Sequence, residues 1–353
     1  MAYTSQTPVV EHDVLKAQKF VNSIIGVLAN EVTLPKTFRR ENIDIFKGTE
    51  GDTLTQRFPG HLPWREYNFR NDRTDPIVFD TLTEATASIT VGDRIYSATR
   101  LTDEQRDFDD LTIEQLTPVM AQAVVDGINT KATQAMESVQ YPITTGGTEA
   151  DLRGAILEAR RVMNTLRVPV PNRFLAVSSD FEVALLTDPK IVLAQNAGDR
   201  RADDALSDAT LGRLYGFTVI LDQSLAPGSA VAYQGDSFAL YTGAASVPRG
   251  VLGAVKNYDG YGLRLVRDYE LTRYVERAAV DTYLGIAPIK ERLLKPVAPA
   301  NGANGLVELT DEEFFVRGLK LTLDGTSTYR VANDEIDTFA RGQLSQVWTP
   351  GTP

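Results

Sequence analysis

Residues 211–222 read LGRLYGFTVILD, and residues 223–244 continue as QSLAPGSAVAYQGDSFALYTGA. After the Gly216-Phe217 pair, apolar and polar residues alternate as they do on a half-buried strand. Ala226-Pro227-Gly228 marks a turn, and two further alternating strands follow. Leu211 to Tyr215 reads as the end of a short apolar helix. No side chain in this stretch suits catalysis. So much ordered structure without chemistry points to shape as the thing being encoded.

Working outward, GYGLRLVRDYELTRYVERAAVDTYLGIAPI predicts one or two long strands over residues 262–286, with Leu263, Leu265, Tyr269 and Leu271 on one face. On the N-terminal side, VPVPNRFLAVSSDFEVALLTDP predicts a break, a strand around Phe174–Val177 and a short helix ending near Asp188-Pro189. TEADLRGAILEARRVMNTL reads as a helix capped by Thr148, with Leu152, Ile156, Ala159, Val162, Met163 and Leu166 inward. The strongest helical pattern is DDLTIEQLTPVMAQAVVDGINTKATQAMESV. It places Leu116, Met120, Ala123, Val124, Ile128, Ala132, Ala135 and Met136 on one face. Asp107, Asp109 and Asp110 sit ahead of it, where negative charge suits the helix dipole, and Thr117-Pro118 reads as a cap and first-turn proline after a bend.

Residues 47–100 have a different texture. KGTEGDTLTQRF and TASITVGDRIYSATR alternate like paired strands, with Ala87, Ile89 and Val91 set against Thr86, Ser88 and Thr90. PGHLPWREYNFRNDRTDP between them is rich in turn formers. This is a long two-stranded excursion, and an isolated hairpin is marginal in water, so it is expected to lean on a neighbouring subunit. Residues 1–46 predict an arm with one amphipathic helix carrying Val14, Leu15, Phe20, Ile24, Ile25 and Leu28. At the other end KPVAPANGANG is a linker, followed by a hairpin around Asp324-Gly325. That region is expected to form a small β appendage whose removal, from residue 300 onward, spares the core fold.

Composition narrows the chemistry. The 353 residues are 42% hydrophobic and 24% charged, and no apolar run reaches the roughly 18 to 20 residues of a bilayer span. The N-terminus lacks the pattern of a signal peptide, which leads to the expectation of folding in a cytoplasm. With no cysteine, disulfides and thiolate catalysis are excluded; the two histidines, His12 and His61, lie in a polar stretch and a Pro/Gly turn, poor settings for a catalytic base. No phosphate-cradling glycine loop, zinc-protease or nucleophile-elbow motif is present, and the DGYG at 259–262 lacks a strand-to-helix setting. Neither a metal nor a cofactor is expected. Paired carboxylates are the remaining enzymatic reading: Asp107/Asp109/Asp110 or Asp203/Asp204/Asp208, against helix capping and a solvated loop respectively.

The net charge of −11, from 47 acidic and 36 basic residues, does not suit gripping phosphates. Trp64, Arg65, Tyr67, Phe69 and Arg70 form the one aromatic and basic cluster. It reads as a nucleic-acid stacking platform, a packed loop tip or a subunit contact; the missing basic field disfavours the first, and Trp, Tyr and Arg favour the last.

The order of these segments resembles that of the major capsid proteins of tailed bacteriophages, an α+β fold of the Hong Kong 97 type. AQAVVDGINTKATQAM is similar to that family's spine helix, RRVMNTLRVPVPNRFLAVSSDFEVALL to its second helix, break, strand and short helix, and LGRLYGFTVILDQSL to the strand crossing its inserted domain. The resemblance covers residues 10 to 292. It implies an N-terminal arm (1–46), an E-loop (47–100), a peripheral domain with the spine helix (101–185 and 260–292) and an axial domain (186–259). A linker (293–305) and a C-terminal β extension (306–353) follow. It also implies a non-enzymatic subunit that assembles into hexamers and pentamers of an icosahedral head, located in the virion and assembled in the host cytoplasm. Its partners would be copies of itself, a separate scaffolding protein, a portal and a decoration protein, around DNA that it encloses without specific binding and without any membrane. An encapsulin-type shell is the alternative within the fold; a carboxylate-dependent hydrolase is the alternative outside it.

Overall fold

The computed structural model describes residues 33–42, 53–58, 62, 64–67, 76, 77, 79, 82, 85–90, 92–109, 112–147, 152–187, 212–258, 261–296, 303, 304, 306–323, 328 and 329. The helix expected over residues 12–32, the Thr148 cap and the turn at Asp324-Gly325 lie outside them. In chain order the first elements are β1 (Arg39–Asn42), β2 (Thr53–Phe58), β3 (Trp64–Arg65), β4 (Ala85–Thr90), β5 (Asp93–Thr102), α1 (Asp103–Phe108), α2 (Ile113–Ser138), β6 (Ile143–Gly147) and α3 (Leu152–Thr165). Then come β7 (Arg173–Val177), α4 (Ser179–Thr187), β8 (Arg213–Leu214), β9 (Phe217–Leu221), β10 (Ser229–Gln234), β11 (Phe238–Gly243), β12 (Leu252–Tyr258), β13 (Tyr261–Glu270) and β14 (Val275–Pro288). The chain closes with β15 (Glu291–Pro296), β16 (Ala303–Asn304), β17 (Leu306–Phe314), β18 (Gly318–Leu323) and β19 (Thr328–Tyr329).

Helix α2 is the spine. Met120, Val124, Ile128, Ala132 and Met136 are buried at every fourth position, as the sequence predicts, and Ile113, Ala121, Val125 and Thr133 widen the stripe to one side. Ala123, expected inward, is exposed, because the body wraps the side carrying Ala121 and Val125. No bend restarts the helix at Thr117-Pro118. The helix begins a turn earlier, the Thr112 N–H donating to Gln115 Oε1 at 3.1 Å, and Thr117 Oγ1 donates to the Ile113 carbonyl at 2.6 Å. Of the acidic residues ahead of it, Asp107 belongs to a separate short helix, α1, capped by Thr102 and Gln105, and Asp109 directly follows that helix.

Two sheets meet across this spine. One has the order β1-β11-β14-β13-β12, with β5 also paired to β14, whose 14 residues hold β13, β11 and β5 in turn. The other has the order β19-β6-β18-β10-β7-β9-β8. Alternation along its central strands separates two cores. Val231 and Tyr233 of β10 and Ala176 of β7 face the spine helix and the first sheet. Ala230 and Ala232, with Leu175 and Val177, face α3 and α4. This corrects the half-exposed reading of β10 and β11: all six residues of each are buried, because both faces of their sheets are covered.

The quoted stretch lies at the joint. Arg213–Leu214 is a strand, so the expected helix end is instead one arm of a hairpin with β9, Leu214 facing Phe217. Tyr215 (φ 46°) and Gly216 (φ 92°) form its two-residue turn, where both positive φ values match the twist of a tight hairpin. At the far end of β9, Asp222 is buried and accepts a hydrogen bond from Thr133 Oγ1 on the spine. Its other oxygen takes the Ser224 N–H at 3.0 Å, and its own N–H reaches the Val177 carbonyl at 3.0 Å. One carboxylate thus ties the second sheet to the helix of the first.

The C-terminal strands are not a separable appendage. β18 lies inside the second sheet, antiparallel to β10 (Ala232 opposite Leu319) and parallel to β6 (Leu321 opposite Thr145). β19 pairs with the other edge of β6, Thr328 opposite Thr144, so β18 and β19 flank β6 and are not hairpin partners. Phe315 enters the first core, tilted against Phe238 (5.1 Å between centroids) and edge-on to Tyr141 (5.5 Å); Leu319 and Leu321 enter the second. The boundary expected between residues 185 and 186 likewise fails to follow the cores, since β7 and α4 on one side of it share a core with β9 and β10 on the other.

Candidate subunit-contact surfaces

The excursion is a true two-stranded ribbon: β2 and β4 pair antiparallel from Thr53 opposite Thr90 to Phe58 opposite Ala85. β4 leads through Gly92 into β5, which runs along β14 from Asp93 opposite Leu284 to Thr102 opposite Val275. At this root Asp93 pairs with Lys131 of the spine at 3.1 Å. Arg94 pairs with Asp281, while Arg264 grips the same carboxylate through Nε at 2.8 Å and Nη2 at 2.6 Å. The Arg264 Nη1 donates to the Ser246 carbonyl at 2.9 Å. Burial pushes the Asp281 carboxyl above its usual range and Arg94 draws it back. Burial likewise raises the Tyr141 and Tyr233 hydroxyls, the latter within hydrogen-bond reach of Thr37 Oγ1 at 2.5 Å.

The ribbon carries the flagged cluster outward. Trp64 and Arg65 form β3, and Tyr67 follows; Trp64 is 55% exposed and Tyr67 47%. Phe69 and Arg70 lie outside the described residues. The same region shows more apolar surface than the cluster alone foretold: Leu62, Ile77, Phe79 and Leu82 are all exposed, Phe79 at 91%. The run PIVFDTL at 76–82 held that signal, since its Ile, Val, Phe and Leu sit among turn-forming and acidic neighbours. Large apolar side chains exposed together in this way make the stretch a candidate contact surface.

A second exposed set lies at the opposite end of β5. Phe108 closes α1 and is 85% exposed; Leu271 and Tyr274, in the turn between β13 and β14, are 75% and 67% exposed. Ion pairs ring this end, with Arg277 bonded to Asp268 at 2.7 Å and Arg267 bridging Glu114 and Glu276. Tyr269 donates its hydroxyl to Asp103 at 2.7 Å.

Of the carboxylates considered for catalysis, the described ones, Asp107 and Asp109, sit in an exposed ion pair and at a helix end. Asp107 is held by its exposed neighbour Arg106 at 3.0 Å, and the Asp109 N–H caps α1 on the Gln105 carbonyl. Asp110, Asp203, Asp204 and Asp208 lie outside the described residues. Among the described residues no group of His, Asp and Glu is placed to hold a metal ion, and no helix is long and apolar enough to cross a membrane. Gly262 of the DGYG motif serves packing: a Cβ there would lie 2.6 Å from the Ala244 nitrogen and 2.7 Å from the Gly243 Cα.

A spine helix between two mixed sheets, with a two-stranded ribbon leaving the body, is the architecture of Hong Kong 97-type capsid subunits. Residues 83–292 match the family described as Phage capsid protein, more than half of the chain, and the chain belongs to that family. Its structure is similar to a chain from Mycobacterium phage Che8 (TM-score 0.57, 10% identity, 82% of this chain and 91% of that one). It is similar also to the capsid of the cyanophage P-SCSP1u (TM-score 0.54, 10% identity, 82% and 90%). The mature capsid of bacteriophage PhiM1 gives a TM-score of 0.53 at 8% identity, covering 83% and 87%. No curated protein matches the sequence significantly. The resemblance read from the order of sequence segments therefore holds for family and fold.

Proposed function

We propose that this chain is the major capsid protein of a tailed double-stranded DNA phage, assembling into hexamers and pentamers that close into an icosahedral head. The observation that carries this reading is the ribbon β2–β4 with Leu62, Trp64, Ile77, Phe79 and Leu82 exposed beyond it. Such a surface is costly in water and is stabilised when a neighbouring copy covers it. The acidic balance supports a wall that encloses DNA without holding its phosphates. In this reading residues 47–100 are the E-loop, the spine helix lies in the peripheral domain, and the hairpin β8–β9 belongs to the axial domain. A separate scaffolding protein, a portal and a decoration protein are the partners, the virion is the final location and the host cytoplasm the place of assembly. The test is direct. Replacing residues 59–84 by a short Gly/Ser turn is expected to leave a soluble subunit with native helix content that forms no closed particles by negative-stain microscopy and sedimentation. Closed particles of normal size from that variant would refute the role given to the ribbon.

A further inference from the structure

Two ribbons leave the body of this subunit, and their outer ends are joined. The first is β2–β4, rooted where Asp93 faces Leu284. The second is β15–β17, in which Glu291 faces Phe314 and Pro296 faces Leu306. Its root is firm on both strands. Ile289 is buried and its N–H donates to the Ser237 carbonyl at 2.8 Å; Phe315 is buried and Arg317 pairs with Glu291. Away from the body, β16 lies in the chain between β15 and β17 and pairs antiparallel with β3 of the excursion, Ala303 opposite Arg65 and Asn304 opposite Trp64.

The lengths close into a triangle. β2 and β15 have six residues each, with a register shift in β15–β17 between Arg292 and Leu294, so each ribbon is roughly 20 Å long. The run from Leu284 to Glu291 along the body forms the base, at most about 24 Å when extended. A lone two-stranded ribbon has no third strand to resist bending and is marginal by itself. A second ribbon of matching length, anchored elsewhere on the body and joined at the far end, removes that freedom.

We propose that the C-terminal ribbon β15–β17 is a brace that fixes the angle at which the excursion leaves the body, through a β3–β16 clasp made within one chain. The clasp is two residues long on each side and is the weakest member of the triangle, so it is where the angle is released. The brace itself stands on the strand pairings; its consequence, that subunits enter assembly with the excursion angle already set, rests on the shell reading.

The absence of cysteine makes the clasp easy to probe. Facing residues of an antiparallel pair have Cα atoms about 4.5 to 5.5 Å apart, within disulfide range. The double variant R65C/A303C of the full chain, oxidised dilute and unassembled, is expected to run on a non-reducing gel as a faster monomer that reverts on reduction. Disulfide-linked dimers or ladders would overturn a clasp within one chain, and no crosslink at all would overturn the pairing. The brace is read by hydrogen exchange. In A303P, which breaks the short ladder, amides of 53–58 and 85–90 are expected to exchange about tenfold faster or more, with residues 261–270 unchanged. Unchanged exchange in the ribbon overturns the brace. Should A303P not fold, the oxidised and reduced forms of R65C/A303C supply the same comparison, the locked form exchanging more slowly. Normal shells from a protein shown to lack the clasp would remove the brace and leave the shell reading standing.

Discussion

Phe315→Ala separates an integral C-terminus from a detachable one. The ring is 2% exposed, lies 5.1 Å from Phe238 and meets Tyr141 edge-on at 5.5 Å. Burying a phenylalanine is worth about 1.5 to 3 kcal/mol, and each aromatic pair adds about 0.5 to 1.5. The site cannot collapse readily, because Gly318, Phe238 and Tyr141 approach the ring from β18, β11 and the segment after the spine. The expected loss is therefore about 3 to 5 kcal/mol, the range for a large side chain removed from a closed core. Urea unfolding of dilute, unassembled subunits followed by far-UV circular dichroism measures it. Phe108→Ala is the control, an aromatic truncation at an 85% exposed position, expected to fall within about 0.5 kcal/mol of the wild type. If Phe315→Ala cost under about 1 kcal/mol, residues 306–323 would be an accessory to a body that is stable without them.

Thr133→Val keeps the shape of the spine but strands the buried Asp222 carboxylate, and is expected to cost about 2 to 3 kcal/mol in the same urea titration; a loss below about 0.5 kcal/mol would show that Asp222 finds other partners. Gly262→Ala forces a methyl against the backbone of Gly243 and Ala244, and is expected to lower the midpoint by at least the equivalent of about 1 to 3 kcal/mol, whereas an unchanged midpoint would refute the close approach. Trp64→Ala, at a half-exposed position, is expected to leave subunit stability within about 0.5 kcal/mol while raising the concentration needed for assembly, measured by light scattering; the opposite pattern would make Trp64 a local packing residue.

Elements whose pattern is local were legible in the sequence. The spine helix, α3, α4 and β9 stand where periodicity placed them, because a helix or strand with one buried face writes its geometry into the spacing of its apolar residues. Legibility failed where burial has no period. In β10 the alternation of Ala230 and Ala232 with Val231 and Tyr233 records two different cores, and it reads the same as a strand with one wet face. Leu319 and Leu321 lie in a segment expected to form a hairpin around Asp324-Gly325; their partners, β10 and β6, lie about ninety and about one hundred and eighty residues away and left no mark in the local text.

The proposed contact surface was legible for a different reason, and only in part. Trp64, Arg65 and Tyr67 were visible because aromatic and basic residues are conspicuous in a turn-rich stretch. Leu62, Ile77, Phe79 and Leu82 were not, because their composition is that of a core and only the fold reveals that no core surrounds them. The decisive quantity is a mismatch between residue type and exposure, and exposure is not a property of the sequence window. The same holds for the clasp: Ala303 and Asn304 sit in a stretch whose glycines and prolines spell linker, yet their pairing with β3 joins the end of the chain to the excursion. A linker composition allows such a segment to travel. Where it arrives is set by the rooted strands on either side of it, since the Ile289 N–H bonds the Ser237 carbonyl just before β15 and the Arg317 carbonyl takes the Gln234 N–H just after β17.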